Sequence, residues 1–144
     1  MRSGVIFDID GTISDHNFRV KFAKLKDYGT YYSMMHMDKP IEESVELMHM
    51  YKEKGYAIFL VTGRPENYRK VTLNWLADHR IPNDVLLMRP EDNRTAAAMC
   101  KLDLYFHNLK DKFKIRAAYD DDPSVIGMWE ELGIRTFQLF RGLK

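Results

Sequence analysis

The chain has 144 residues, 45% of them apolar and 30% charged, with a formal net charge of +1. That length suits one domain with one core and excludes two comfortable ones, and no run of about 18 apolar residues is present to span a membrane. A charge near neutrality excludes a globally basic nucleic-acid binder and confines any phosphate-binding surface to a local patch, while the lone Cys100 excludes an internal disulfide and points to a cytoplasmic setting.

Ser3 to Asp8 reads SGVIFD, an apolar run suited to a buried strand that begins too early to leave room for a signal peptide. Residues 13 to 39 have no clean period and are rich in charge and aromatics. Pro40 is placed to start a helix, with Glu42 and Glu43 at its positive end. Ile41, Val45, Met48 and Tyr51 recur near helical spacing, and Gly55 stops the helix. Tyr56 to Val61 is a second buried strand. Pro65 begins a helix that turns Tyr68, Val71, Trp75 and Leu76 inward and ends near Arg80. Val85 to Met88 gives a third strand, Thr95 to Leu109 a helix, and Lys114 to Tyr119 a fourth strand. Pro123 opens a helix carrying Val125, Ile126, Trp129 and Leu132, and Ile134 to Phe140 supplies a fifth strand.

Strands alternating with helices, each buried on both faces, predict an α/β three-layer, Rossmann-like domain around a parallel sheet of about five strands. Ligands in such sheets bind outside the carboxyl ends of the strands. Asp8 and Asp10 follow the first strand, Thr62 the second and Asp120 to Asp122 the fourth. Every unusual polar cluster therefore falls on one edge.

Asp8 and Asp10 are two residues apart, and in extended chain such side chains point the same way. One carboxylate can attack phosphorus, and a second can protonate the leaving oxygen and then activate water. A plain strand-end turn also favours Asp and Gly. Asp120, Asp121 and Asp122 repel one another unless a cation sits nearby, and magnesium takes carboxylate and phosphate oxygens. Asp122 before Pro123 is explained by a helix N-cap; capping needs one acid, not three. Thr62, Gly63 and Arg64 combine a hydroxyl, main-chain N–H groups at an expected helix start and a planar cation suited to phosphate. A capped helix with a solvent-facing arginine accounts for them equally well.

DIDGT after the first strand, TGR after the second and DD after a later one resemble the haloacid dehalogenase-like phosphatases. The resemblance runs nearly the whole chain. It implies Asp8 as nucleophile, Asp10 as general acid/base, Thr62 as a phosphoryl ligand, and Asp8, Asp10, Asp120 and Asp121 around Mg2+. It also implies a lysine from the helix before the last acidic motif; Lys101, nineteen residues before Asp120, fits better than Lys110 or Lys112. Within that superfamily the chain is most similar to the 3′-phosphatase domain of bacteriophage polynucleotide kinase. Arg19 lies eleven residues after Asp8, as a functional arginine does there, and LLMRPEDNR and YDDDPSVIGMWEELGIRTFQ have counterparts. That domain has an aspartate four residues before its lysine, where this chain has Ala97. No Gly-rich loop ending in Gly-Lys-Ser/Thr occurs, so the chain carries no kinase domain.

About thirty residues separate the first motif from Pro40, too few for a large lid, so the insert at 13–39 is expected to form a small cap over an open cleft. Basic and aromatic residues within it, from Phe18 to Tyr32, could grip backbone phosphates and stack on bases, although packing of the rings and solvation of the lysines explains most of them. Arg19, Gly63 and Arg64 are the expected substrate contacts. The expected reaction is removal of phosphate from 3′ ends of DNA or RNA, in the cytoplasm, including host cytoplasm for a phage-encoded protein. A phosphatase for nucleotides or another small phosphomonoester is the alternative. A silent magnesium- or nucleic-acid-binding module is a third reading, disfavoured because both Asp8 and Asp10 are present. The five histidines show no zinc spacing.

Overall fold

The computed structural model describes residues 1–139. Its centre is a five-stranded parallel sheet formed by β1 (Ser3–Phe7), β4 (Ala57–Pro65), β5 (Val85–Arg89), β6 (Lys114–Tyr119) and β7 (Thr136–Phe137), in the order β5-β4-β1-β6-β7. The insert supplies a two-residue antiparallel ribbon, β2 (Ser14–Asp15) with β3 (Lys39–Pro40), and two short helices, α1 (Val20–Lys24) and α2 (Tyr28–Ser33). The longer helices are α3 (Glu42–Glu53), α4 (Arg69–Asp78), α5 (Ala97–Asn108) and α6 (Pro123–Glu131).

Alternation along the strands divides the core in two. Val5, Phe7, Ile58 and Leu60 face one side with Met48 of α3 and with Trp75 and Leu76 of α4. Ile6, Phe59, Val61 and Ala118 face the other with Leu104 of α5 and with Val125 and Trp129 of α6. Burial on both faces is why these strands read as continuous apolar runs. The chain leaves β1 towards β4 and returns through α5 to β6 on the opposite flank, so β1 stands where the strand order reverses, and a crevice opens at its carboxyl end.

Three expected boundaries move. Pro40 does not start α3. It pairs with Ser14 in the β2–β3 ribbon, and Ile41, whose N–H bonds the carbonyl of Ile13 at 2.8 Å, precedes the helix. Proline suits such an edge as well as it suits a first helical turn. Pro65 likewise ends β4 in extended backbone, and a 3-10 turn over Glu66–Tyr68 comes before α4. Among the described residues the closing strand is shorter than expected, with Thr136 and Phe137 pairing with β6; Phe140, its expected end, lies outside the described residues. No helix among the described residues is long and apolar enough to cross a membrane.

Candidate active site

The crevice is a cleft of about 630 Å³ whose lining includes Asp8, Asp10, Thr62, Lys101, Asp120 and Asp121. Lys101 reaches it from the first turns of α5. Although a lysine, it is 3% exposed, with Nζ donating to Asp8 Oδ1 at 2.9 Å and to Asp120 Oδ2 at 2.7 Å. Burial alone would lower its pKa, but Asp120 and Asp8 outweigh that and raise it, so the ammonium stays charged. With Ala97 in place of an acid one helical turn earlier, the two aspartates alone orient this lysine. Asp120 Oδ1 also accepts the N–H groups of Asp121 and Asp122, while Asp122 caps α6 through the N–H of Ser124, as expected.

Asp8, Asp120 and Asp121 each offer an oxygen within 4.8 Å of the others. Burial, and then the charge of Asp120, push the Asp8 carboxyl well above its ordinary range despite Lys101; burial and Asp120 push Asp121 up as well. One ammonium does not neutralise three carboxylates. An all-oxygen set carrying excess negative charge fits a hard divalent cation such as magnesium. Gly11 makes the approach possible: its φ of +84° is a left-handed conformation, and a Cβ there would lie 2.0 Å from Asp121 Oδ2.

The Asp10 carboxylate, expected beside the same ion, lies outside that cluster and among cations. Its Oδ2 accepts from Arg64 Nε at 3.0 Å, and its Oδ1 accepts from Arg64 Nη2 at 2.8 Å and from Arg19 Nη2. Arg19 also donates through Nε to Asp38 Oδ1 at 2.8 Å and through Nη2 to Asp38 Oδ2 at 2.5 Å. Its guanidinium lies 4.3 Å from the centre of the Tyr31 ring. Arg19 is 0% exposed and Arg64 1%. Neither is the open phosphate contact expected from the sequence, because buried guanidinium groups need carboxylates, and Asp10 and Asp38 provide them. Burial opposes charge on Asp10, but Arg64 and Arg19 more than offset it and hold the carboxyl far below its usual range.

A family model described as the polynucleotide kinase PNKP phosphatase domain matches residues 2–143. The chain belongs to this family. It is therefore a haloacid dehalogenase-like phosphatase domain, as the motifs implied. It is 32% identical over 80 residues to a protein of Autographa californica nuclear polyhedrosis virus named as a bifunctional polynucleotide kinase/RNA ligase, covering 55% of this chain and 12% of that protein. A chain in the structure of a Pnkp1/Rnl/Hen1 RNA repair complex is 30% identical, with a TM-score of 0.86 over 98% of this chain and 43% of that one. Membrane-associated phosphatidylinositol transfer protein 3 of Mus musculus is 24% identical over 139 residues, 94% of this chain and 12% of that protein. This PNKP-family chain thus spans less than half the length of each of these relatives.

Thr62 and Gly63 line the cleft, but within β4 and not at a helix start, so the expected helix-terminus anion site is absent there. The Thr62 hydroxyl accepts the N–H of Arg64 at 3.1 Å, leaving its own hydrogen free to donate. Two residues escaped the sequence reading. Asp38 is buried, accepts from Ser14 and Arg19, and has its main-chain carbonyl bonded by Trp75 Nε1 at 2.9 Å. His16 lines the cleft with Nδ1 2.7 Å from the Tyr31 hydroxyl and Nε2 3.9 Å from Asp121 Oδ2. A buried arginine expected at position 19 would have called for an acid such as Asp38; no periodicity marks either residue.

Proposed function

We propose that this PNKP-family domain is a magnesium-dependent phosphomonoesterase that works through an aspartyl-phosphate on Asp8 and removes terminal 3′-phosphate from nucleic acid. The observation that carries the reading is Lys101, buried between Asp8 and Asp120 beside a third acid, Asp121. Asp8, Asp120 and Asp121 would hold the ion, which when bound supplies charge neutralisation that lets an anionic carboxylate approach an anionic phosphate.

The Asp8 carboxylate attacks phosphorus, a phosphorus–oxygen bond to Asp8 forms, and the bond to the nucleoside 3′ oxygen breaks. That oxygen takes a proton from Asp10. A water molecule then attacks the same phosphorus, gives its proton to Asp10, and releases inorganic phosphate with the Asp8 carboxylate restored. Arg19 and Arg64 hold Asp10 as an anion, which suits the second step. The dianionic substrate supplies the proton affinity for the first, because a like charge alongside raises a carboxyl pKa. Thr62 and Lys101 hold the transferring oxygens. Arg19, Arg64 and Asp38 position Asp10. The PNKP family and the viral and RNA repair relatives support a nucleic-acid end as substrate.

The test is a panel with and without magnesium: oligonucleotides ending in 3′-phosphate, free 3′- and 5′-nucleotides, and a short-chain phosphatidate. A magnesium-dependent preference for oligonucleotides is expected. Equal rates on oligonucleotides and nucleotides would move the assignment to a nucleotide phosphatase, and a preference for phosphatidate would move it to lipid head groups. No hydrolysis of any ester would leave a binding module.

A further inference from the structure

Beyond the acids, one wall of the cleft is aromatic. Tyr28 and Tyr32, one helical turn apart on α2, have ring centres 6.3 Å apart and planes inclined by 28°. Tyr32 in turn meets Tyr68, from the turn after β4, at 5.0 Å and 35°. Two elements thus build a row of three rings. The inner end of the row, Tyr68, packs against the core, but its outer end is open: Tyr31 on the same helix is buried, Tyr32 is half-buried and Tyr28 is 50% exposed. A second concavity of about 340 Å³ lies against the same ridge and shares Tyr28, Tyr32, Pro65 and Glu91 with the cleft.

Charge distinguishes the remaining lining. Arg89 and Arg94, at and after the end of β5, line the cleft and not the second concavity. Arg89 is braced by the carbonyls of Gly63 and Thr95, at 3.1 and 2.7 Å, and Arg94 is exposed. Glu91, on the tyrosine side, repels phosphate but tolerates a neutral base. A strand whose terminal phosphoryl group meets Asp8 leaves the cleft between these walls, with cations suited to its phosphates and rings suited to its bases. Stacking of this kind accepts any base, because every base has a π face.

We infer that Tyr28 and Tyr32 form a stacking platform for a nucleobase within the last two nucleotides of the substrate strand, with Arg94 facing the adjoining backbone phosphate. The inference rests on the 3′-end reading above. It predicts that bases matter in a reaction that consumes only a phosphate ester.

The experiment compares kcat/KM for a 3′-phosphorylated trinucleotide with that for the same strand lacking its last two bases. In the wild-type chain the base-bearing strand should be favoured about tenfold, within the range expected for stacking one base on an aromatic side chain. Tyr28→Ala should bring that ratio towards one, and Tyr28→Phe should preserve it. A second readout needs no turnover: 2-aminopurine near the 3′ end should lose fluorescence on binding Asp8→Asn, and should not lose it when Tyr28→Ala is added. A wild-type ratio near one, an unaltered ratio in Tyr28→Ala, or quenching that survives that change would overturn the platform. Hydrolysis of a small phosphate ester with no turnover of either strand would instead overturn the 3′-end reading, and the platform with it.

Discussion

Asp8 and Asp10 are separated by one residue and share one cleft, yet their surroundings are electrical opposites. Asp8 stands among acids, with Asp120 and Asp121 beside it and a single ammonium, Lys101, against them; its carboxyl pKa is raised by burial and by Asp120. Asp10 stands among cations, bonded by two buried guanidinium groups whose other acid is Asp38, and its carboxyl pKa is lowered although burial opposes this. The contrast teaches that a DxD pair is not two copies of one group. The first carboxylate shares a single ammonium with two other acids, and that deficit of positive charge suits a metal ion; the second is fully paired, and that pairing fixes its orientation. Two acids driven apart in this way can take different parts in one reaction.

Exchanging each acid for its amide breaks the contrast from either side, and the largest effect belongs to Asp8. Asp8→Asn should abolish turnover of every phosphomonoester while raising the melting temperature of the metal-free protein, because removing a charge from an excess of buried like charges relieves repulsion. Asp10→Asn should reduce kcat by about 10²–10⁴, the usual span for general acid–base catalysis. It should also destabilise the fold by about 3–5 kcal/mol, because Arg19 and Arg64 stay buried without that partner. Steady-state kinetics on a small chromogenic ester and urea unfolding of both variants are the measurements. Two variants moving stability in the same direction would refute the opposition.

The acidic side was the more legible in sequence. Asp8 and Asp120 follow their strands as expected, because an apolar run followed by an acid marks a strand's carboxyl end and a parallel sheet brings those ends together; Thr62 reaches the same cleft from within β4 and not from beyond its end. Lys101 came from the resemblance, which implies a lysine on the helix before the last acidic motif. The cationic side was not legible, because whether a guanidinium meets solvent or a carboxylate depends on a partner that pattern does not reveal. Asp38 sits in a segment without periodicity, and it reaches Arg19 only because the β2–β3 ribbon folds the insert back beside Ser14. The same ribbon misled the assignment of Pro40, whose fixed φ serves an edge strand and a first helical turn equally. For Asp10, the spacing from Asp8 was right about direction and silent about company.

Disturbing the cationic side at its remote end gives a smaller effect. Asp38→Asn leaves Arg19 bonded to Asp10 but removes a charged acceptor that is itself buried, a loss of about 1.5–3 kcal/mol in unfolding free energy. Arg19→Ala should lower kcat/KM by the same factor on a small ester and on a long strand, because the side chain is enclosed and cannot touch a polymer. A loss confined to long strands would show that Arg19 contacts substrate and that the enclosure opens.

The smallest effect is also the sharpest division between the two acids. Magnesium at ten times its dissociation constant should stabilise the chain by about 1.4 kcal/mol through mass action, and Asp8→Asn should lose most of that gain. The ligands must be ionised to bind, and Asp8 and Asp121 take up protons above the ordinary carboxyl value of 3.8. The gain should therefore fade on acidification before pH 3.8 is reached. Over the same interval the metal-free wild type should gain stability relative to Asp8→Asn, because the native Asp8 binds a proton while the unfolded one is still ionised. Asp10 behaves in the reverse sense. Its folded value is depressed, so its pairing with Arg19 and Arg64 contributes fully above 3.8 and is lost only as pH falls through the lower folded value. Thermal melts from pH 7 down to pH 3, with and without magnesium, on the wild type and on Asp8→Asn, should show the metal response vanish while the stability owed to the arginine-paired acid largely persists. Simultaneous loss of both would mean that the two carboxylates titrate as one group and that their separation by environment is an error.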